Sequence, residues 1–106
     1  MIEINGNYDD VIKNEFEKGN SVILQFTSEL CEPCFALESE LEELEDERDD
    51  VSILSIDCAQ NEDITNLFDI YQTPTMVILN KQQKIIYNDT GVILCGDILE
   101  IININQ

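Results

Sequence analysis

Two cysteines three residues apart, in Cys31-Glu32-Pro33-Cys34, are the side chains of this sequence best suited to chemistry. The stretch before them, Ser21 to Ser28, is apolar and β-favouring and too short for a comfortable helix, so it reads as a strand. The stretch after them, Phe35 to Glu45, has no Gly, Pro or β-branched residue. There Leu37, Leu41 and Leu44 recur at helical spacing, and Cys34 continues that row one turn back. The cysteines therefore fall where a strand ends and a helix begins. Residues three apart in a first helical turn share a face and lie close enough for a disulfide. Unpaired backbone N–H groups and the positive end of the helix dipole point at the first sulfur, which favours the reactive thiolate. The chemistry implied is thiol–disulfide exchange. Half of a zinc site, a structural disulfide or two ordinary buried thiols are the alternatives that the motif alone leaves open. The strand-to-helix placement, and to a lesser degree Pro33, weigh against a zinc knuckle.

Composition narrows the options. At 106 residues the chain is expected to form one domain, residues 1–106, with an ordinary apolar content of 43%. Met1-Ile2-Glu3-Ile4-Asn5 has neither a basic start nor an apolar run of signal-peptide length. No stretch approaches the roughly 18 consecutive apolar residues of a membrane span. A cytoplasmic location is expected, where a reducing milieu works against a framework of disulfides built from all four cysteines. With 23 acidic and 5 basic side chains, the net charge is −18. Phosphate-rich partners and anionic membranes need Lys and Arg, so neither nucleic acid nor membrane is an expected partner. The absence of His excludes Cys-His and Ser-His nucleophile pairs. The acidic run from Glu38 to Asp50 is expected to be a solvated helix face, with Arg48 the only local relief at its C-terminal end. Alternatively it steers basic partners to the surface.

The elements around the motif follow from pattern. Met1 to Ile4 alternates as a short edge strand and precedes an Asn5-Gly6-Asn7 turn. Tyr8 to Lys18 reads as a helix, carrying Val11, Ile12, Glu15 and Phe16 and stopped by Gly19-Asn20. Val51 to Asp57 is a second apolar, β-branched strand. Asn61 to Tyr71 reads as a helix with Ile64, Leu67, Phe68 and Tyr71 on one face and Asn61 as its cap. Thr75 to Leu79 and Lys84 to Tyr87 form a hairpin about Asn80-Lys81-Gln82-Gln83. A last helix runs from Cys95 to Asn103. The order βαβαβαββα implies an α/β mixed sheet, part parallel with right-handed crossovers, with helices on both faces.

That order, Cys-x-Pro-Cys opening the second helix, and Thr73-Pro74-Thr75 leading into a hairpin together resemble thioredoxin. The similarity extends over essentially the whole chain and includes Ile56-Asp57, Leu67 to Tyr71 and Gly91. Position alone makes Pro74 an ordinary trans proline opening a strand. The resemblance implies instead a cis Pro74 beside the active disulfide, with Thr73, Pro74 and Gly91 holding a substrate's extended segment. It further implies that Cys31 attacks a substrate disulfide and that Cys34 resolves the mixed disulfide. Beyond the redox-active disulfide no cofactor or metal is then needed. The partners implied are protein disulfides and, as electron donor, a flavin-dependent reductase; the default for this size and charge is a monomer.

Three positions depart from the thioredoxin pattern. Leu30 stands where the family typically has Trp, and Gln25 stands where it has a buried carboxylate. Gln25 can hydrogen-bond but cannot titrate, so slower resolution by Cys34 is expected. Glu32 replaces the usual Gly, and with Glu29 it places negative charge beside Cys31. Like charge disfavours a thiolate, so the pair is expected to be more reducing than a Gly-containing relative. Cys58 and Cys95 are expected to be small buried apolar groups, with a regulatory disulfide or a four-cysteine metal site as the alternative. Two other functions compete with a disulfide reductase. One is a non-catalytic interaction module on the same fold. The other is a glutathione-dependent exchanger of glutaredoxin type, which ranks last because none of Lys13, Lys18, Arg48, Lys81 and Lys84 lies in the motif to bind an anionic thiol.

Overall fold

Five strands and four helices follow one another as βαβαβαββα in a computed structural model that describes residues 1–105. They are β1 (Ile2–Glu3), α1 (Tyr8–Glu17), β2 (Ser21–Thr27), α2 (Glu32–Glu47), β3 (Val51–Asp57), α3 (Glu62–Leu67), β4 (Thr75–Leu79), β5 (Ile85–Thr90) and α4 (Cys95–Ile104). The strands form one sheet in the order β1-β3-β2-β4-β5. β1 and β2 run parallel to β3, while β4 is antiparallel to both β2 and β5. Among the described residues no helix is long and apolar enough to cross a membrane.

β2 lies at the centre and is buried on both faces, which is why its sequence is nearly continuously apolar instead of alternating. On one face Ile23, Ile53, Met76 and Ile78 pack against Leu37, Leu41 and Leu44 of α2 and Ile98 and Ile102 of α4. On the other, Leu24, Phe26, Leu54, Ile56 and Val77 are covered by Val11, Ile12 and Phe16 of α1 and by Ile64 of α3 with Phe68 just beyond it. Each fully buried aliphatic side chain contributes roughly 1.5–3 kcal/mol, so the leucine row of α2 is a main anchor of that helix. Beneath α1, the buried Glu15 carboxylate accepts hydrogen bonds from Lys18 Nζ (2.9 Å) and Ser52 Oγ (2.8 Å). The Lys18 bond is the main cause holding its pKa below the ordinary carboxylate value.

Element bounds shift from the sequence pattern, most of all at α3. α2 opens at the motif as expected and runs on past Glu45 to Glu47, β1 is only Ile2–Glu3, and β5 continues past Tyr87 to Thr90. α3 is shorter: it stops at Leu67, and Asp69 takes a left-handed conformation at φ 54° that reverses the chain. Ile64 and Phe68 suffice to hold it on the sheet, whereas Leu67 and Tyr71, expected on the same apolar face, are exposed. Asn61 occupies the N-cap position without a side-chain capping bond. Its amide Nδ2 instead donates to the carbonyls of Ile4 and Asp57 (3.0 Å each), and its Oδ1 accepts from Gly6 N–H (3.0 Å). One buried side chain thus ties the edge strand, the end of β3 and the start of α3. Asn61→Ala is expected to lower unfolding free energy by about 2–4 kcal/mol, three bonds at roughly 1 kcal/mol plus desolvated carbonyls. A loss below 0.5 kcal/mol in urea unfolding refutes this account.

Candidate functional site

The site is built at the C-terminal end of β2, where the chain turns into α2. Cys31 is the N-cap residue, with extended backbone at φ −107° and ψ 97°. Pro33 sits in the first turn, where its missing N–H leaves no hydrogen bond unmade. Cys34 N–H donates to Cys31 O at 3.1 Å, and the two sulfurs are joined in a disulfide with Cα atoms 5.2 Å apart. Cys34 lies on the buried row with Leu37, Leu41 and Leu44 and is 2% exposed, whereas Cys31 is partly exposed. One sulfur therefore faces solvent and the other faces the core. Leu30 adopts φ 55° and is 99% exposed, so it leaves the disulfide open. Glu29, Glu32 and Pro33 are exposed around it.

The segment before β4 closes over the same spot. The Thr73–Pro74 peptide bond is cis. Thr73 Oγ1 approaches Cys31 Sγ at 3.6 Å and lies 2.7 Å from Ser28 Oγ. When Thr73 donates to the sulfur, Ser28 is the donor of the shorter bond, so a serine–threonine relay positions the hydroxyl. Nothing in the sequence marks Ser28 beyond a hydroxyl placed three residues before the first cysteine, just past β2. Gly91 N–H donates to Pro74 O at 2.9 Å and holds φ 95°, a conformation that suits glycine. Gly91 thus clips the Pro74 segment in place.

Gln25 lies between Ser55 of β3 and Met76 of β4, on the face that carries Ile23 and packs under α2. It is 1% exposed, and among the described residues neither Nε2 nor Oε1 has a hydrogen-bond partner. An orphaned buried amide costs about 1–3 kcal/mol. Cys58 and Cys95 are free thiols; Cys95 is buried as expected, whereas Cys58, just past the end of β3, is only half-buried. Burial pushes both pKa values up, with help from Asp57 at Cys58 and from Glu43, Glu47 and Glu40 at Cys95. Both are therefore held as thiols, the unreactive form. No three His, Cys, Asp or Glu residues among those described are grouped to hold a metal ion.

The sequence model of the thioredoxin family matches residues 2–102. The chain belongs to the thioredoxin family. Its structure is similar to that of chloroplastic thioredoxin z, with 28% identity, a TM-score of 0.84, and coverage of 97% of this chain and 91% of that one. Thioredoxin f from spinach chloroplast is 26% identical with a TM-score of 0.77, over 97% of this chain and 90% of its own. The thioredoxin of Fasciola hepatica shares the fold across 100% of both chains at 21% identity and a TM-score of 0.83. Thioredoxin H5 of Oryza sativa subsp. japonica is 25% identical over 79 residues, 74% of this chain but only 58% of that protein's length. The architecture is the α/β thioredoxin fold, and the Cys31–Cys34 disulfide occupies its C-x-x-C site.

Proposed function

We propose that this thioredoxin-family protein is a protein-disulfide reductase working through Cys31 and Cys34. The observation that carries it is the asymmetric disulfide at the start of α2, one sulfur accessible and one buried, beside the cis Thr73–Pro74 peptide. In the dithiol form the Cys31 thiolate attacks one sulfur of a substrate disulfide, and the other substrate sulfur leaves as a thiolate that takes up a proton. The Cys34 thiol loses its proton and attacks Cys31 Sγ as a thiolate, and the second substrate sulfur leaves as a thiolate that takes up a proton. Two electrons pass to the substrate, and the Cys31–Cys34 disulfide is regenerated. Thr73 Oγ1, aimed at Cys31 Sγ, is placed to stabilise charge on that sulfur. The backbone beside Pro74, held by Gly91, offers an edge for the substrate segment. Protein disulfides are the proposed substrates, a flavin-dependent reductase the proposed electron donor, and a monomer the proposed state. A cytoplasmic setting is supported by two thiols left free outside the site.

The test is the reduction potential of the Cys31–Cys34 pair in glutathione and dithiothreitol buffers. A value below the cytosolic poise of roughly −220 to −260 mV is expected. A value far above it makes the protein an oxidant or isomerase, and failure to form the disulfide at any poise makes it a binding module. Glu32→Gly removes one of the carboxylates exposed beside Cys31. By the like-charge argument its potential should rise, by up to roughly 30 mV, the equivalent of a tenfold change in the exchange equilibrium. An unchanged or lower potential removes Glu32 from the account.

A further inference from the structure

Four large apolar side chains stand uncovered close in sequence to the disulfide or to the segment clipped over it: Leu30 and Phe35 flank it, Tyr71 precedes Thr73, and Val92 follows Gly91. Tyr71 is 88% exposed. Such a face needs an occupant, and the charges around it say which kind. Glu29 and Glu32 beside the disulfide, and Asp69 and Asp89 beside the segment that carries Thr73, are all exposed. The basic residues lie elsewhere. Lys18 precedes β2, Arg48 caps the far end of α2, and Lys81 and Lys84 form the β4–β5 turn at the opposite end of the sheet, leaving Lys13 in mid-α1. Three of them are already paired, Lys18 with Glu15 and both Arg48 and Lys81 with Asp50.

Beside the cis peptide this asymmetry has a shape. A cleft of about 490 Å³ lies between the Phe68–Gln72 segment and the end of β5, lined by Asp69, Tyr71, Gln72, Thr75 and Asp89 among others. Thr75 adjoins Pro74, and Thr73 reaches Cys31 Sγ, so the cleft opens a few residues from the reacting sulfur. Two carboxylates and an exposed phenol ring fit one long cation, whose stem packs on the ring while its head sits near the acids.

We propose that the cleft between Tyr71 and Asp89 seats a lysine or arginine side chain that a substrate protein carries close to its disulfide. This rests on the disulfide-reductase function proposed above and names its substrate class. Acidic walls around a low-dielectric groove concentrate cationic ligands and raise their association rates, while an anionic segment meets repulsion at every approach.

The test uses the full chain, reduced with dithiothreitol and desalted, against three probes. Two are synthetic peptides with the same disulfide loop, flanked by Lys in one and Glu in the other. The third is the small neutral disulfide 2,2′-dithiodipyridine. The lysine peptide should be reduced roughly tenfold faster than the glutamate peptide at low salt, with the ratio shrinking as salt rises. Asp69→Asn combined with Asp89→Asn should abolish most of that preference and leave the rate on the neutral disulfide unchanged; Asn tolerates the left-handed backbone at position 69. Equal rates on the two peptides, with the neutral disulfide reduced normally, overturn the docking proposal alone. A preference that survives the double substitution overturns the cleft as its seat. Failure to reduce the neutral disulfide overturns the reductase function on which the docking depends.

Discussion

Cys34→Ala is expected to stop the reaction half-way, with substrate joined to Cys31 as a stable mixed disulfide. The partly exposed Cys31 retains its place at the N-terminus of α2, so the first attack survives. The second attack does not, because Cys58 and Cys95 are held as thiols by burial and have no place at the start of α2. Turnover should fall by about 10³-fold or more, the scale seen when a member of a catalytic group is removed. Intact-mass measurement should show one substrate equivalent per chain, released by dithiothreitol. Cys31→Ser should give no adduct at all. Alanine is preferred to serine at position 34, because a hydroxyl in that buried apolar row lacks an assured partner. An adduct on Cys31→Ser, or full turnover by Cys34→Ala, removes the two-cysteine mechanism.

Gln25→Leu is expected to make the protein more stable, an uncommon outcome for a core substitution. The glutamine buries two polar atoms without partners among the described residues, and a leucine of similar volume removes both. The gain should be about 1–3 kcal/mol in urea unfolding. A domain of this size then gains at least ~4 °C in melting temperature. Loss of stability instead means that a buried water satisfies the amide. Gln25→Asp should instead lower stability. A carboxyl so deeply buried resists ionising, so its folded-state pKa lies above its unfolded one. Its cost is therefore absent below the unfolded value of about 3.9 and grows as pH rises from there to the folded pKa. In exchange it supplies a titratable group on the face beneath α2, and resolution by Cys34 should quicken, by about tenfold or more if it acts as general base. Single-turnover release of the second substrate thiol measures this. An unchanged release rate from Gln25→Asp removes the proton-transfer role.

Much of this protein is written locally. The chemistry-bearing pair was legible from Cys31 and Cys34 at one-turn spacing between an apolar strand and a leucine-periodic helix, because helical geometry is set by the chain itself. The order of elements and the two-sided burial of β2 follow from hydrophobic period in the same way. Other features depend on residues distant in sequence, and only the tertiary structure decided them. Asn61 looks like a helix cap until the carbonyls of Ile4 and Asp57 compete for its amide and win. Leu67 and Tyr71 have the spacing of a buried stripe, yet Ile64 and Phe68 take the sheet-facing positions, the chain turns at Asp69, and both are left in solvent. Gln25 becomes an orphan only because sheet neighbours and α2 close over it without offering a donor or acceptor. Ser28 and Thr73, 45 residues apart, meet over Cys31 through the packing of β4 against β2. Periodicity reports which face of an element is apolar; which partner a polar group finds is settled by whatever the fold brings within hydrogen-bond reach.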